Sequence, residues 1–278
     1  MRTRPAVLAE ILRPHNMLAS ALATVAGLVV AGGRAVEPVW IVALLAAVAT
    51  GAGNVVNDCF DLSIDRVNKP RRPLPSGRIT MRAAVALYVA SSCAVVAGAI
   101  LFVTRDVAVL VVGWQVALFV YARWCKRWLV VGNLLVAAIS SSAFFAGAMA
   151  AGNAPAALVP AAIAFAFVLC REIVKGGEDL EGDMACGVRT IAVTAGRPLA
   201  GRTAAVLMLA LAVLIPIPVL TLHYRVGYFV LMEGVVVPAL LFGATRVADA
   251  TDRSVFGRTS RALKLAMFVG IVAIAAGA

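Results

Sequence analysis

The sequence predicts an all-α polytopic membrane protein, with nine transmembrane helices around a central cavity, the N terminus cytoplasmic and the C terminus outside. Three observations predict it: the composition, a series of nine apolar stretches, and a one-sided distribution of Lys and Arg. Of the 278 residues, 62% are apolar and 14% charged. An average soluble domain is about a quarter charged and under half apolar, so a water-soluble globule of this composition lacks the polar surface to cover its outside. Disorder needs few hydrophobic residues and much net charge, which excludes it as well. Five cysteines without CxxC spacing give neither a disulfide framework nor a zinc site.

A helix rises about 1.5 Å per residue and the hydrocarbon core is about 30 Å thick, so each crossing takes about 20 mainly apolar residues. The stretches that qualify are 16–31, 38–56, 81–103, 107–124, 129–151, 155–174, 204–222, 226–245 and 263–278. The first and last are short. The seventh and eighth carry Pro216, Pro218 and Pro238, which kink helices but are tolerated in bilayers. The start, Met1-Arg2-Thr3-Arg4, is charged, yet the apolar run after it reaches residue 31 without a small-residue cleavage site, so it reads as a mature helix rather than a signal peptide. No long linker, low-complexity tract or internal repeat interrupts the chain, so residues 1–278 read as a single transmembrane domain.

Nine crossings put successive loops on alternate sides. On that assignment 22 of the 25 Lys and Arg share the side of the N terminus, and Arg34, Arg105 and Arg225 face the other. Cytoplasmic loops carry the Lys/Arg excess, so the basic side is cytoplasmic. Topology and anionic membrane lipid account for the net charge of +11. No aromatic-interleaved basic module suggests a nucleic-acid partner.

The acids are less evenly spread. Eight of 14 Asp and Glu fall in two short windows, Asp58 to Asp65 and Glu172 to Asp183, each beginning at the cytoplasmic end of a predicted span. Asn57, Asp61 and Asp65 are spaced i, i+4, i+8, so on a helix they share one face, with Asn54 beside them and Asp58 turned about 100° away. In the second window Lys175, Asp179 and Asp183 repeat the step, and Arg171 extends it backward; Gly176-Gly177 costs helix propensity, so a bend is expected there. Like charges at this spacing repel, and carboxylates near the apolar core are expensive unless paired. A single DxxxD is most simply a solvated face that neutralises nearby arginines; two copies, each at a span end beside basic residues, call for a cation. Hard oxygen ligands without His or Cys suit Mg²⁺, which completes its shell from substrate phosphates. His15 and His223 are too far apart to form a metal site, and Glu233, inside the eighth stretch, reads as a group hydrogen-bonded between helices.

The run from Asn57 through Asp65, followed by Asn68-Lys69-Pro70 and Arg72-Pro73-Leu74-Pro75-Ser76-Gly77, resembles the first signature of the UbiA-type intramembrane prenyltransferases. Three further runs agree in order. Arg13-Pro14-His15-Asn16 resembles the family's RPxN, and Tyr121 to Arg127 with Gly132-Asn133 resembles its YSxxLKR and GN. Glu178 to Asp183 with Arg189-Thr190 resembles its second Asp-rich signature. The wording around both signatures is most similar to the archaeal subfamily that attaches a second geranylgeranyl chain in ether-lipid synthesis. Two positions depart from the pattern. Gly176 stands where that subfamily usually has Asp, which leaves Glu178 to serve, and Ala122 replaces the usual Ser.

The resemblance implies transfer of a geranylgeranyl group from its diphosphate to the hydroxyl of geranylgeranylglyceryl phosphate, with Mg²⁺ bridging the two Asp clusters to the donor diphosphate. It implies Asn57, Asp61 and Asp65 on one metal, and Asp179 and Asp183 on a second, the four aspartates being catalytic. Arg72, Lys126 and Lys175 would hold phosphate oxygens, as would Lys69. Asp58, Glu178 and Glu181 are further metal candidates, and Asn54, Arg13 and Asn16 further site candidates. Tyr121 either borders the allylic cation as a π face or anchors a span end at the interface. Two other functions remain open from sequence: the same chemistry on an aromatic acceptor such as 4-hydroxybenzoate or a naphthoate, and ion-coupled transport with the acids as an ion path. The expected location is the cell membrane, with the site towards the cytoplasm.

Overall fold

A computed structural model describes residues 5–33, 37–222 and 224–278; Arg2, Arg4, Arg34 and His223 lie outside the described residues. Every regular element among the described residues is helical. In chain order they are α1 (Pro5–Leu12), α2 (Pro14–Val30), α3 (Glu37–Phe60), α4 (Leu62–Asn68), α5 (Met81–Phe102), α6 (Arg105–Arg123), α7 (Val131–Ser141), α8 (Ala143–Ala150), α9 (Leu158–Glu178), α10 (Leu180–Ala185), α11 (Ile191–Leu214), α12 (Ile217–Leu222), α13 (Val226–Leu231), α14 (Val237–Val247) and α15 (Arg253–Gly277).

Eight helical stretches, not nine, are long and apolar enough to cross a membrane among the described residues. The stretch predicted at 16–31 forms α2, a 17-residue helix, which at 1.5 Å per residue is about 26 Å long and shorter than the hydrocarbon core. Two predicted spans start earlier than hydropathy indicated. α11 begins at Ile191 and α15 at Arg253, where Thr190 and Asp252 accept hydrogen bonds from Val193 N and Ser254 N as N-caps. Arg197, Arg202, Arg253, Arg258 and Arg261 mask these first turns in a hydropathy average; α15 is continuous through them, whereas α11 kinks at Gly196 (φ 81°, ψ 163°).

Breaks in the spans have local causes. The stretch at 129–151 divides at Ser142, whose Oγ donates to Ile139 O (2.7 Å) and accepts from Trp114 Nε1 (2.6 Å); a hydroxyl that bonds back to its own helix bends it. The chain breaks between α11 and α12 at Pro216, as its proline predicts. Pro238 has no N–H to give the Gly234 carbonyl, and the turn before it widens into a π-helix at Met232–Val236.

Six stretches close a ring, each packed on the next: α2, α3, α6, α7, α9, α15 and back to α2. Small residues set the closest approach. At Gly27 of α2 a Cβ would lie 2.0 Å from Phe144 O, and at Gly147 of α8 one would lie 1.8 Å from Thr24 O. Absent side chains therefore let the two backbones touch, as membrane helices do without a hydrophobic drive between them. α5 and α11 lie outside the ring, against α3 and α9 respectively. At one end, α1 and the segment 69–80 fold over α3 and α5 around Val7, Ile11, Val55, Leu74 and Ile79. Arg78 fastens this cover to α1 through two bonds to Glu10 (2.6 and 2.8 Å).

Candidate active site

The ring encloses a cavity of about 530 Å³, within the range of small-molecule sites. One end is polar, with Asn54, Asn57, Asp58, Lys69, Arg72 and Lys175 on its wall; the other is apolar, with Phe144, Phe167, Val236, Ile271 and Ile274.

Both acid windows have the same local design. α3 ends at Phe60 and α4 starts at Leu62; α9 ends at Glu178 and α10 starts at Leu180. The joint residue is an aspartate each time, Asp61 (φ −89°, ψ 5°) and Asp179 (φ −93°, ψ 6°). The i→i−4 bonds run on through the first joint, with Asp61 N to Asn57 O and Asp65 N to Asp61 O. The shared face of Asn57, Asp61 and Asp65 therefore survives, and Asn57 Nδ2 donates to Asp61 Oδ2 at 2.6 Å. The second window corrects the expected bend at Gly176-Gly177. α9 runs through both glycines and the break falls at Asp179. Gly177 serves packing, since a Cβ there would lie 2.3 Å from the Phe256 ring.

α4 and α10 pack together, which brings the windows side by side. Asn68 makes the joint: its Nδ2 donates to Asp179 O (2.8 Å) and its Oδ1 accepts from Gly182 N (3.1 Å). A Cβ on Gly182 would lie 2.3 Å from that amide. Sequence reading quoted Asn68 within a motif without giving it a role; its distance of more than 100 residues from its partners hid the clamp. Glu172 was also missed as a site residue. It lines the cavity and holds Arg171 (2.8 Å) and Lys175 (3.4 Å).

Four aspartates are almost inaccessible: Asp58, Asp61, Asp65 and Asp183 are 2, 4, 3 and 5% exposed. Each of the first three pairs with a cation from another segment, as does Asp179. Arg13 and Arg72 hold Asp58, and Arg72 reaches Asp65 at 2.6 Å. Lys126 holds Asp61, and Lys69 Nζ lies 2.7 and 2.8 Å from the two oxygens of Asp179. Asp58, expected to point away from the others, is thus part of the same network. Burial opposes ionisation of Asp179, but Lys69 and Lys175 overcome it and hold the carboxyl below its ordinary range. Asp183 is pushed up to about 6 by burial, against the pull of Lys126. Burial works against the Lys126 charge too, and Asp61 outweighs it, raising the ammonium's affinity for its proton.

The cations are placed by strained or crowded backbone. Arg13 has φ 55° and Val130 φ 62°, both non-glycine residues in the left-handed region. Such conformations cost about 1–3 kcal/mol each and persist where the surroundings enforce them. Arg13 separates α1 from α2 and turns its guanidinium to Asp58 and Asn54 (3.5 Å). Val130 closes the turn carrying Lys126, whose Cα would lie 2.9 Å from a Cβ on Gly132. Asn16 also bonds Asn54 (3.3 Å). Of the other predicted residues, Tyr121 and Glu178 line the cavity, whereas Asp183 and the paired Asp61, Asp65, Lys126 and Asp179 lie behind its wall, and Glu181 pairs with Arg197 (2.5 Å) away from it.

No group of three or more His, Cys, Asp or Glu forms a ready metal cage among the described residues. The residues nonetheless fit a divalent cation. Their donors are hard oxygens, Asn57 Oδ1 is buried without a hydrogen-bond partner, and each paired acid holds a Lys or Arg whose charge a metal ion could replace.

A model of the UbiA prenyltransferase family matches residues 20–273. The digeranylgeranylglyceryl phosphate synthase of Methanopyrus kandleri is 35% identical over 268 residues, covering 96% of this chain and 97% of that one. That of Korarchaeum cryptofilum is 36% identical over 268 residues, covering 95% and 94%. The structure of a UbiA homolog from Archaeoglobus fulgidus bound to GPP and Mg²⁺ aligns with a TM-score of 0.70 at 19% identity, covering 96% of this chain and 99% of that one. With its helical ring, its paired aspartate joints and these matches over nearly its whole length, the chain belongs to the UbiA prenyltransferase family.

Proposed function

We propose that the protein transfers a geranylgeranyl group from its diphosphate to the hydroxyl of geranylgeranylglyceryl phosphate, forming an ether and releasing diphosphate and a proton. The observation that carries this reading is the pairing of the two aspartate joints with Lys69, Arg72 and Lys126, of which Lys69 and Arg72 also line the polar end of a cavity whose other end is apolar. The names of the Methanopyrus and Korarchaeum relatives supply the acceptor.

In this reading Asn57, Asp61 and Asp65 hold one Mg²⁺, and Asp179 and Asp183 another. Asp58 and Glu178 support them. When bound, the metal draws charge from the diphosphate as the allylic C–O bond breaks. Arg72, Lys126, Lys69 and Lys175 stabilise the same developing charge, being fixed in place beforehand. The apolar bore holds the chain and excludes water from the allylic cation, which the Tyr121 ring borders. One domain in the cell membrane does all of this. α2 is its first crossing, making nine; the N terminus and the site face the cytoplasm and the C terminus lies outside, a reading that the Lys/Arg distribution supports.

The test is incubation of purified protein with labelled geranylgeranyl diphosphate, Mg²⁺ and one acceptor at a time. Product is expected with geranylgeranylglyceryl phosphate. Product only with 4-hydroxybenzoate or a naphthoate assigns the aromatic reaction, and metal-independent ion flux without product assigns transport. Chelation is expected to stop turnover while leaving the thermal midpoint unchanged, because the acids keep their Lys and Arg partners.

A further inference from the structure

α15 carries a charge that the donor site does not use. Ser260, Lys264, Met267, Ile271 and Ile274 line the cavity at helical spacing, so one face of α15 runs from polar to apolar, and Lys264 is its last polar residue. It lies 11 residues into the helix, about 16 Å from its start. An ammonium at that depth would be costly in contact with lipid; here it faces the cavity. No acid pairs with it among the described residues. Of the acids on the cavity wall, Asp58 is held by Arg13 and Arg72, Glu172 by Arg171 and Lys175, and Glu10 by Arg78, while Glu178 lies against Gly257, nearer the start of α15. Arg13, Arg171 and Lys175 share the wall with Lys264. Arg171 adds a second vacancy, since its Nε is buried without a hydrogen-bond partner. His15 of α2 completes the group on the cavity wall. α15 packs against both α2 and α9, so these three groups converge from adjacent helices.

Arg13, Arg171 and Lys175 have acid partners and Lys264 has none among the described residues, so a phosphate dianion would supply its missing counter-charge through charge-assisted bonds. Lys69, Arg72 and Lys126 belong to the aspartate joints. Lys264 stands apart from them on the wall formed by α2, α9 and α15. We propose that Lys264, with Arg171 and His15, binds the phosphomonoester headgroup of the acceptor lipid. The inference rests on the acceptor class given above and assigns it a place: the headgroup sits against α15, and the donor diphosphate against α3, α4 and α10. A neutral ring of similar size would leave Lys264 and the Arg171 Nε unmatched, so the group also sets a preference for an anionic acceptor.

The experiment uses full-length protein in detergent, titrated by calorimetry with octyl glycerol phosphate and with octyl glycerol, without metal or donor. Wild type is expected to favour the phosphate ether. Lys264→Gln should weaken its binding about tenfold, the size of one lost charge-assisted bond, leave octyl glycerol unaffected, and be rescued by Lys264→Arg. In turnover the same variant should raise KM for the acceptor about tenfold with KM for geranylgeranyl diphosphate unchanged. Equal rises in both KM values, or unchanged phosphate-ether binding, overturn the assignment. Full displacement of the ether by an equal concentration of inorganic phosphate makes this a free-ion site and also overturns it. If octyl glycerol phosphate binds through Lys264 but no phosphate-bearing acceptor is prenylated, the site stands and the function proposed above falls. If the acceptor is prenylated equally by both proteins, the reverse holds.

Discussion

Asp61→Asn and Asp179→Asn are each expected to lower turnover by about a thousandfold or more, the scale seen when a preorganised electrostatic group or metal ligand is removed from a reaction that builds charge. Asn keeps the shape and the helix joint, so the loss reports charge rather than misfolding. Each change also leaves a cation unmatched, Lys126 in the first case and Lys69 in the second. Breaking a buried pair from one side destabilises by up to about 3–5 kcal/mol, and the partial exposure of both lysine side chains puts the effect here well below that limit. Steady-state rates at saturating Mg²⁺, set beside thermal unfolding in the same detergent, separate the two effects. Near-normal rates in either variant would remove the aspartate joints from the mechanism.

Gly147→Ala is expected to destabilise the protein by about 2–3 kcal/mol, the upper range for overpacking a close contact. On an exposed helix the same change would help by roughly 1 kcal/mol through propensity. The sign reverses because the new methyl meets the Thr24 carbonyl, 1.8 Å from where its Cβ would stand, and a backbone atom cannot swing aside as a side chain can. Gly113 provides the control, since a Cβ there meets nothing within 4 Å. Thermal unfolding of Gly147→Ala against Gly113→Ala measures the difference. Equal midpoints would mean that α2 and α8 are not locked by this contact.

Most of the architecture is legible in the sequence because a bilayer imposes one simple demand, about 20 apolar residues for each crossing. What escapes is whatever a hydropathy average cannot register. The first turns of α15 carry arginines yet are helical, α11 carries its own around a kink at Gly196, and α2 is apolar yet short. The aspartates were visible because acids are rare and clustered in this chain, and their spacing placed three groups on one helix face. Their partners were harder to find. Lys126 is 65 residues from Asp61, and Lys69 is 110 from Asp179, so only the packing of α4 on α10 reveals who neutralises whom. Asp58 misled for a related reason. Its angle on α3 excludes it from the stripe, but Arg13 and Arg72 approach from other segments and include it. Lys264 gave no local signal, being one basic residue in a helix that begins with several others.

The pairing of Asp58, Asp61, Asp65 and Asp179 with Lys or Arg side chains has a consequence for the order of assembly. A magnesium ion arriving alone must evict an ammonium or guanidinium that then has no counter-charge, and a pyrophosphate arriving alone must strip those same groups from their acids. Arriving together, they exchange partners: the acids take the metal and the freed cations take the phosphates. Each ligand therefore strengthens the other's binding, by the reciprocity that governs any two coupled equilibria. On that exchange the resting protein would hold either ion weakly alone and the two together more tightly.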